Sequence, residues 1–199
     1  MRLVAIVPAA GSAERFGSAK LVADVGGLPL VARTVGALAA GGAEEVVLVH
    51  APGDERLAAM PHVRAVVNED PSRGMFSSIQ AGMRASRADA YLVQPADMPF
   101  VRTETVRAIV AAYDGRSIVS PRHNGKRGHP IVLPGTLRDE ILAAPPVLTL
   151  HDVIRAHADT RKDVEVDDAG ILRDVDVPED LLNGARSDPA EPDRTHGQA

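Results

Sequence analysis

Six short runs of small and β-branched apolar residues recur along this chain: Leu3 to Val7, Glu45 to His50, Val63 to Val67, Ala90 to Val93, Ser117 to Val119 and Ile131 to Leu133. Runs this short and this continuously apolar are the pattern of strands covered on both faces. Between them the apolar period lengthens to that of a helix. Val31, Val35 and Leu38 share one face, and so do Val106, Ile109, Val110 and Tyr113, with Thr103 as the candidate N-cap of the latter. Strand, helix, strand repeats four times, and parallel strands joined this way cross over right-handedly. The predicted fold is therefore α/β: a three-layer αβα, Rossmann-like sandwich on a mostly parallel sheet, with ligands expected in the loops at the carboxyl ends of the strands.

After Leu133 the order loosens. A helix is expected near Thr136 to Leu142 and another over Leu150 to Ala156, followed by a strand-like Asp163 to Val166 and the segment Leu172 to Val177, together an appended subregion on the same sheet. From Asn183 on, GARSDPAEPDRTHGQA carries charge, Pro and Gly without apolar periodicity, so 1–182 is expected to form one domain and 183–199 a disordered tail. A length of 199 residues with 45% hydrophobic suits a single sizeable core.

Composition removes several function classes. With no cysteine there is no disulfide framework, thiolate zinc site or cysteine nucleophile. A formal net charge of -5 and 3% aromatic residues argue against nucleic-acid binding. No apolar stretch approaches the roughly 20 residues of a membrane helix, and no signal-peptide layout opens the chain, so a soluble, cytoplasmic protein is expected.

The chemistry-bearing motifs follow strands. VPAAGSAERFGSAK places small residues (Ala9, Ala10, Gly11, Ser12) directly after the first run, followed by Arg15, Gly17 and Lys20. Small side chains let backbone N–H groups approach an anion, and Arg and Lys neutralise it. A turn with solvated basic residues is the plainer reading, but its place after the first strand favours a phosphate cradle. Neither GxGxxG nor a Walker A sequence is present. QPADMPF sets Asp97 just past the fourth strand between Pro95 and Pro99, as a Mg²⁺ ligand or a turn aspartate. DVDVPEDL offers Asp176 ahead of a helix start; if the C-terminal strand returns beside the fourth strand, Asp176 and Asp97 hold the metal together. Gly74, Ser77 and Ser78 open a helix whose Ile79 and Met83 face the core, where a simple cap is the safer reading than a base or ribose contact. Arg122, Lys126 and Arg127, ahead of His129 and Pro130, form a basic loop that is either solvated surface or the side that takes an anionic acceptor.

Taken together and in this order, VPAAGSAERFGSAK, GMFSSIQAGM, QPADMPF, RGHP and DVDVPEDL resemble the signature set of the MobA-like nucleotidyltransferases, in particular their molybdenum-cofactor cytidylyltransferase branch, over nearly the whole chain up to Leu181. The resemblance implies a glycosyltransferase-A-type fold that binds an NTP, with the triphosphate on Ala9, Ala10, Gly11, Ser12, Arg15 and Lys20. It implies Mg²⁺ on Asp97 and Asp176, base or ribose contacts at Gly74 and Ser78, and an acceptor side lined by Arg127 and His129. The implied reaction is attack of an acceptor phosphate oxygen on the α-phosphorus with pyrophosphate leaving, catalysed by Arg15, Lys20 and Asp97 through positioning and charge neutralisation. Ala9-Ala10-Gly11 is more similar to the branch that uses CTP. The acceptor implied is molybdopterin, with a molybdoenzyme or its chaperone downstream. One stretch departs from the pattern: where that branch carries a GDxGAR-like stretch, this chain has LTLHDVIRAH around Asp152 and Arg155. The methylerythritol-phosphate cytidylyltransferases share the PAAG start, but this chain has no counterpart of their Asp-Ala-Ala-Arg-Pro stretch in the fourth-strand loop, which makes them a poor match. Two rivals from other classes are a nicotinamide-dependent oxidoreductase, which lacks GxGxxG here, and a non-catalytic nucleotide sensor, against which Lys20, Asp97 and Asp176 argue.

Overall fold

The computed structural model of the protein describes residues 1–11 and 20–175. Ser12, Arg15, Asp176 and the expected tail 183–199 lie outside the described residues. The chain alternates as β1 (Leu3–Pro8), α1 (Leu30–Ala40), β2 (Glu45–His50), α2 (Glu55–Ala58), β3 (Arg64–Val67), α3 (Met75–Ala85), β4 (Ala90–Val93), α4 (Thr103–Ala111) and β5 (Ile118–His123). β6 (Lys126–Arg127), β7 (Ile131–Pro134), α5 (Arg138–Ala143), α6 (Leu150–Ala156) and β8 (Arg161–Glu165) follow.

β1 pairs β2 and β4 in parallel, and β2 pairs β3 in parallel. β7 runs antiparallel between β4 and β5, and β8 adds to β5 in parallel. The order β3-β2-β1-β4 means that the chain winds outward from β1 and then returns to its other side. Such a reversal opens a crevice at the carboxyl ends of the two strands flanking it, here β1 and β4.

Two-sided burial explains why β1 reads as an unbroken apolar run. Leu3, Ala5 and Val7 enter one core with Leu30, Val31 and Leu38 of α1 and Val106 and Ile109 of α4. Val4 and Ile6 face the opposite core with Ile79 and Met83 of α3, Ile141 of α5 and Val153 of α6. Each fully buried aliphatic side chain contributes about 1.5–3 kcal/mol relative to exposure, so the sandwich is held from both faces of its central strands.

Three expectations are corrected by long-range contacts. The strand beside β4 is β7, and residues 173–175 form no strand; the C-terminal segment meets the β4 loop through Val175 N–H to the Asp97 carbonyl at 2.9 Å and the Arg173 guanidinium over the Phe100 ring. α4 begins after Arg102 without a side-chain cap from Thr103. The buried Asp168 instead accepts from Arg102 N at 2.9 Å and from the Thr105 hydroxyl at 2.6 Å. β5 continues past Val119 through Ser120-Pro121-Arg122 because these pair with β8, and Arg122 also pairs with β6.

Two glycines allow the last described segment to reach the sheet. A Cβ on Gly128 would lie 2.1 Å from the Ile171 carbonyl oxygen, and one on Gly170 would lie 2.1 Å from that of Phe100. Gly128→Ala therefore forces backbone apart, and we expect a loss of about 1–3 kcal/mol. At about 2–4 °C per kcal/mol for a chain of this size, the melting temperature should fall by several degrees in circular dichroism. An unchanged melt would show that the segment is not seated as described.

Candidate active site

The crevice between β1 and β4 is assembled by backbone bonds. Ala9 N donates to the Val49 carbonyl at 2.7 Å, Gln94 N to Ile6 at 3.2 Å and Ala96 N to Pro8 at 3.0 Å. The last two stitch β1 and its loop to the loop after β4 at the carboxyl edge, and the first ties the β1 loop to β2. Ala9 and Ala10 turn into the core, whereas Gly11 is exposed, with no atom of the described residues beyond its chain neighbours within 4 Å of where its Cβ would be.

Lys20 re-enters the described chain at the foot of α1, where Leu21 O accepts from Val31 N at 3.0 Å. Its ammonium lies 3.2 Å from Asp97 Oδ2. The lysine side chain is 8% exposed and the aspartate 32%, so the cation is held inside while the carboxylate reaches the rim. Residues 77 apart in sequence thus meet at the point where the sheet order reverses.

The other predicted residues divide. Gly74 ends the turn Pro71–Arg73 with φ of 80° and leads into α3, with open space at its Cα. Ser78 is buried, and its hydroxyl accepts from Asn68 Nδ2 at 3.0 Å; Ser77 accepts from the same amide at 2.8 Å and donates to Gly74 O at 2.7 Å. The serines therefore wire the loop after β3 to α3, and both hydroxyls are engaged in that connection. Arg127 is exposed, but its Nε already donates to both oxygens of Asp163, at 2.7 and 3.0 Å. That bond holds the Asp163 carboxyl below its ordinary range. Asp152 and Arg155, at the place of the GDxGAR-like stretch, are used locally. Asp152 completes a capping box with Thr149 and pairs with Arg155 at 2.7 Å.

His129 follows Gly128 and precedes β7, and its N–H donates to Ile171 O at 3.0 Å. Burial pushes its imidazole down to about 4 from 6.5, so the ring is neutral at pH 7. Between those two values the unfolded chain binds the extra proton, so this contribution to stability is present above pH 6.5 and is lost as the pH falls toward 4. We expect a slope of at most about 1.4 kcal/mol per pH unit in urea unfolding across that window, reduced in His129→Gln. Equal slopes in the two proteins would contradict it.

Residues 5–161 match the model of the MobA-like NTP transferase domain. The chain belongs to that family. It is 26% identical over 128 residues to the molybdenum cofactor cytidylyltransferase of Escherichia coli K12, a match covering 64% of this chain and 65% of that protein, just under two thirds of the relative's length. It is also 28% identical to the 2-C-methyl-D-erythritol 4-phosphate cytidylyltransferase of Streptomyces avermitilis, over 87% of this chain and 80% of the relative. Among solved structures, Rv0371c of Mycobacterium tuberculosis H37Rv superposes with a TM-score of 0.81 at 21% identity, covering 94% of this chain and 98% of that one. A manganese complex of Rv0371c superposes at 0.76 with 19% identity, over 94% of this chain and 100% of that one. These likenesses confirm the α/β sandwich of the family.

No motif in the sequence assigns a chemical role to Thr34, Asn68 or Gln94, whose side chains hydrogen-bond the loop after β4 or, for Asn68, the helix α3. Thr34 is a hydroxyl within the apolar face of α1, and Gln94 is a polar residue closing an apolar strand. Each is a polar side chain where the pattern calls for an apolar one, which was the available signal.

Proposed function

We propose that the protein is a nucleotidyltransferase that moves the NMP of an NTP, CTP by preference, onto a phosphorylated small-molecule acceptor, molybdopterin, and releases pyrophosphate. The observation that carries this reading is the Lys20–Asp97 pair at 3.2 Å between the loops after β1 and β4, the first of which also carries the exposed Gly11. A buried ammonium, bare N–H groups and a rim carboxylate are the parts needed to hold a triphosphate and the cation that accompanies it. The donors suit Mg²⁺: the chain has no cysteine, and carboxylate oxygens are hard ligands that leave positions for water and phosphate. Asp97 would hold the ion together with Asp176, the residue after Val175, whose N–H is bonded to the Asp97 carbonyl. When bound, Mg²⁺ supplies charge neutralisation and alignment of the triphosphate.

In this reading Lys20 and Arg15 draw negative charge off the phosphates as the acceptor oxygen attacks the α-phosphorus and pyrophosphate departs in line. No general base is needed, since a phosphate acceptor is already ionised. Molybdopterin as acceptor would place a molybdoenzyme or its chaperone next in line. The broader match to a methylerythritol-phosphate cytidylyltransferase, covering 87% of the chain, favours a sugar phosphate as the second reading.

The test is pyrophosphate release with CTP, GTP, UTP or ATP plus Mg²⁺, alone and with molybdopterin or 2-C-methyl-D-erythritol 4-phosphate. Release with CTP only when molybdopterin is present supports the first reading, and release with the sugar phosphate instead selects the second. Absence of turnover with every pair would overturn both.

A further inference from the structure

Asp97 sits in a loop whose three consecutive carbonyls each accept a hydrogen bond, two of them from distant parts of the fold. The Thr34 hydroxyl of α1 donates to Ala96 O at 3.0 Å, Val175 N of the C-terminal segment to Asp97 O at 2.9 Å, and Gln94 Nε2, from the residue directly after β4, to Met98 O at 3.0 Å. Ala96 N is also held by Pro8 O at 3.0 Å. Thr34 is 1% exposed and Gln94 0%, so these bonds form away from water. The Gln94 amide is held in one orientation although its Oε1 is buried and has no hydrogen-bond partner among the described residues. A buried acceptor left unmatched is unfavourable, and an aliphatic side chain would fill the same core position without it. Such groups persist where a particular backbone position matters more than packing.

We propose that Thr34 and Gln94 are positioning residues for the Asp97 carboxylate. They fix the carbonyls on either side of Asp97, so that the carboxylate is presented to a divalent cation without first ordering the loop. The Thr34 hydroxyl and Gln94 Nε2 are directed at the loop carbonyls, so the two side chains act on the carboxylate through the backbone. The inference rests on the reading of Asp97 as a metal ligand. Residues that orient a ligand in this way typically affect metal affinity by about 10- to 100-fold when replaced.

The experiment uses Mn²⁺ alone as probe, with free Mn²⁺ followed by electron paramagnetic resonance, on the full chain. Thr34→Val keeps the shape and removes the hydroxyl, Thr34→Ser restores it, and Gln94→Met keeps length without the amide. We expect Thr34→Val and Gln94→Met each to weaken Mn²⁺ binding by about tenfold or more, with Thr34→Ser close to wild type. CTP binding measured in EDTA should be unchanged in all three. On an Asp97→Asn background neither substitution should weaken Mn²⁺ binding further. Wild-type Mn²⁺ affinity in Thr34→Val would overturn the proposal, as would equal losses of Mn²⁺ and metal-free CTP binding, which mark a general loss of structure. Either variant decides alone if the other fails to fold. If Asp97→Asn binds Mn²⁺ like wild type, it is the metal reading of Asp97 that fails, a result distinct from the other two.

Discussion

Lys20→Met should lower nucleotidyl transfer by about 10²-fold or more while tightening Mn²⁺ binding to the nucleotide-free protein. The two effects have opposite signs because the ammonium has two roles. In the free protein it lies 3.2 Å from Asp97 Oδ2 and competes with a cation for that carboxylate. In the proposed reaction it faces phosphate oxygens once a triphosphate is bound, and removing a preorganised charge of this kind typically costs 10²- to 10³-fold in turnover, about 2.7–4 kcal/mol. The competition is weaker. A partly exposed ion pair is worth about 0.2–1 kcal/mol, so Mn²⁺ affinity should rise by at most about fivefold. Pyrophosphate-release kinetics and a Mn²⁺ titration on the same preparation check both. A variant that loses turnover and also binds Mn²⁺ more weakly would show that Lys20 supports the metal site instead of competing for it.

Asp97→Asn should abolish turnover, by at least about 10²-fold, and leave the fold intact. The bonds that hold this loop run from Thr34, Val175 and Gln94 to main-chain carbonyls, and none of them uses the Asp97 side chain. The amide keeps an oxygen for Lys20 but has no formal charge for a divalent ion. A melting temperature close to wild type with turnover at background is the expected pair of results. Turnover near wild type would remove Asp97 from the chemistry. Near-normal activity at raised Mg²⁺ would instead show that its role is confined to ion affinity.

The sheet was legible in the sequence because its central strands are covered on both sides, which turns each into a continuous apolar run. Leu3 to Val7 and Ala90 to Val93 lie within or coincide with β1 and β4 for that reason. β3 was also read, although it is an edge strand with most of its residues exposed, since Val63 to Val67 keeps β-branched composition. Legibility ended where pairing depends on distant partners. Ser120, Pro121 and Arg122 are polar or strand-averse, yet they continue β5 because β8 returns beside them more than forty residues later. The insertion of antiparallel β7 between β4 and β5 left no local trace either.

The site followed the same division. The meeting of the loops that carry Lys20 and Asp97 follows from topology, because each comes after a strand that ends at the reversal of the sheet order. What Arg127 and Ser78 do was set by partners far along the chain or across a turn. Asp163 takes the guanidinium, and Asn68 takes the hydroxyl. No spacing rule links Arg127 to a residue 36 positions away. The same holds for Thr34 and Gln94, whose polar groups acquire meaning only from the carbonyls that the fold sets against them.

The measurement that tests the central claim most directly is Mn²⁺ binding at saturating CTP, without acceptor, in wild type and in Asp97→Asn. The account predicts that wild type takes up Mn²⁺ and CTP together, each tightening the other, and that Asp97→Asn loses this mutual tightening. Identical Mn²⁺ and CTP binding in the two proteins would contradict it.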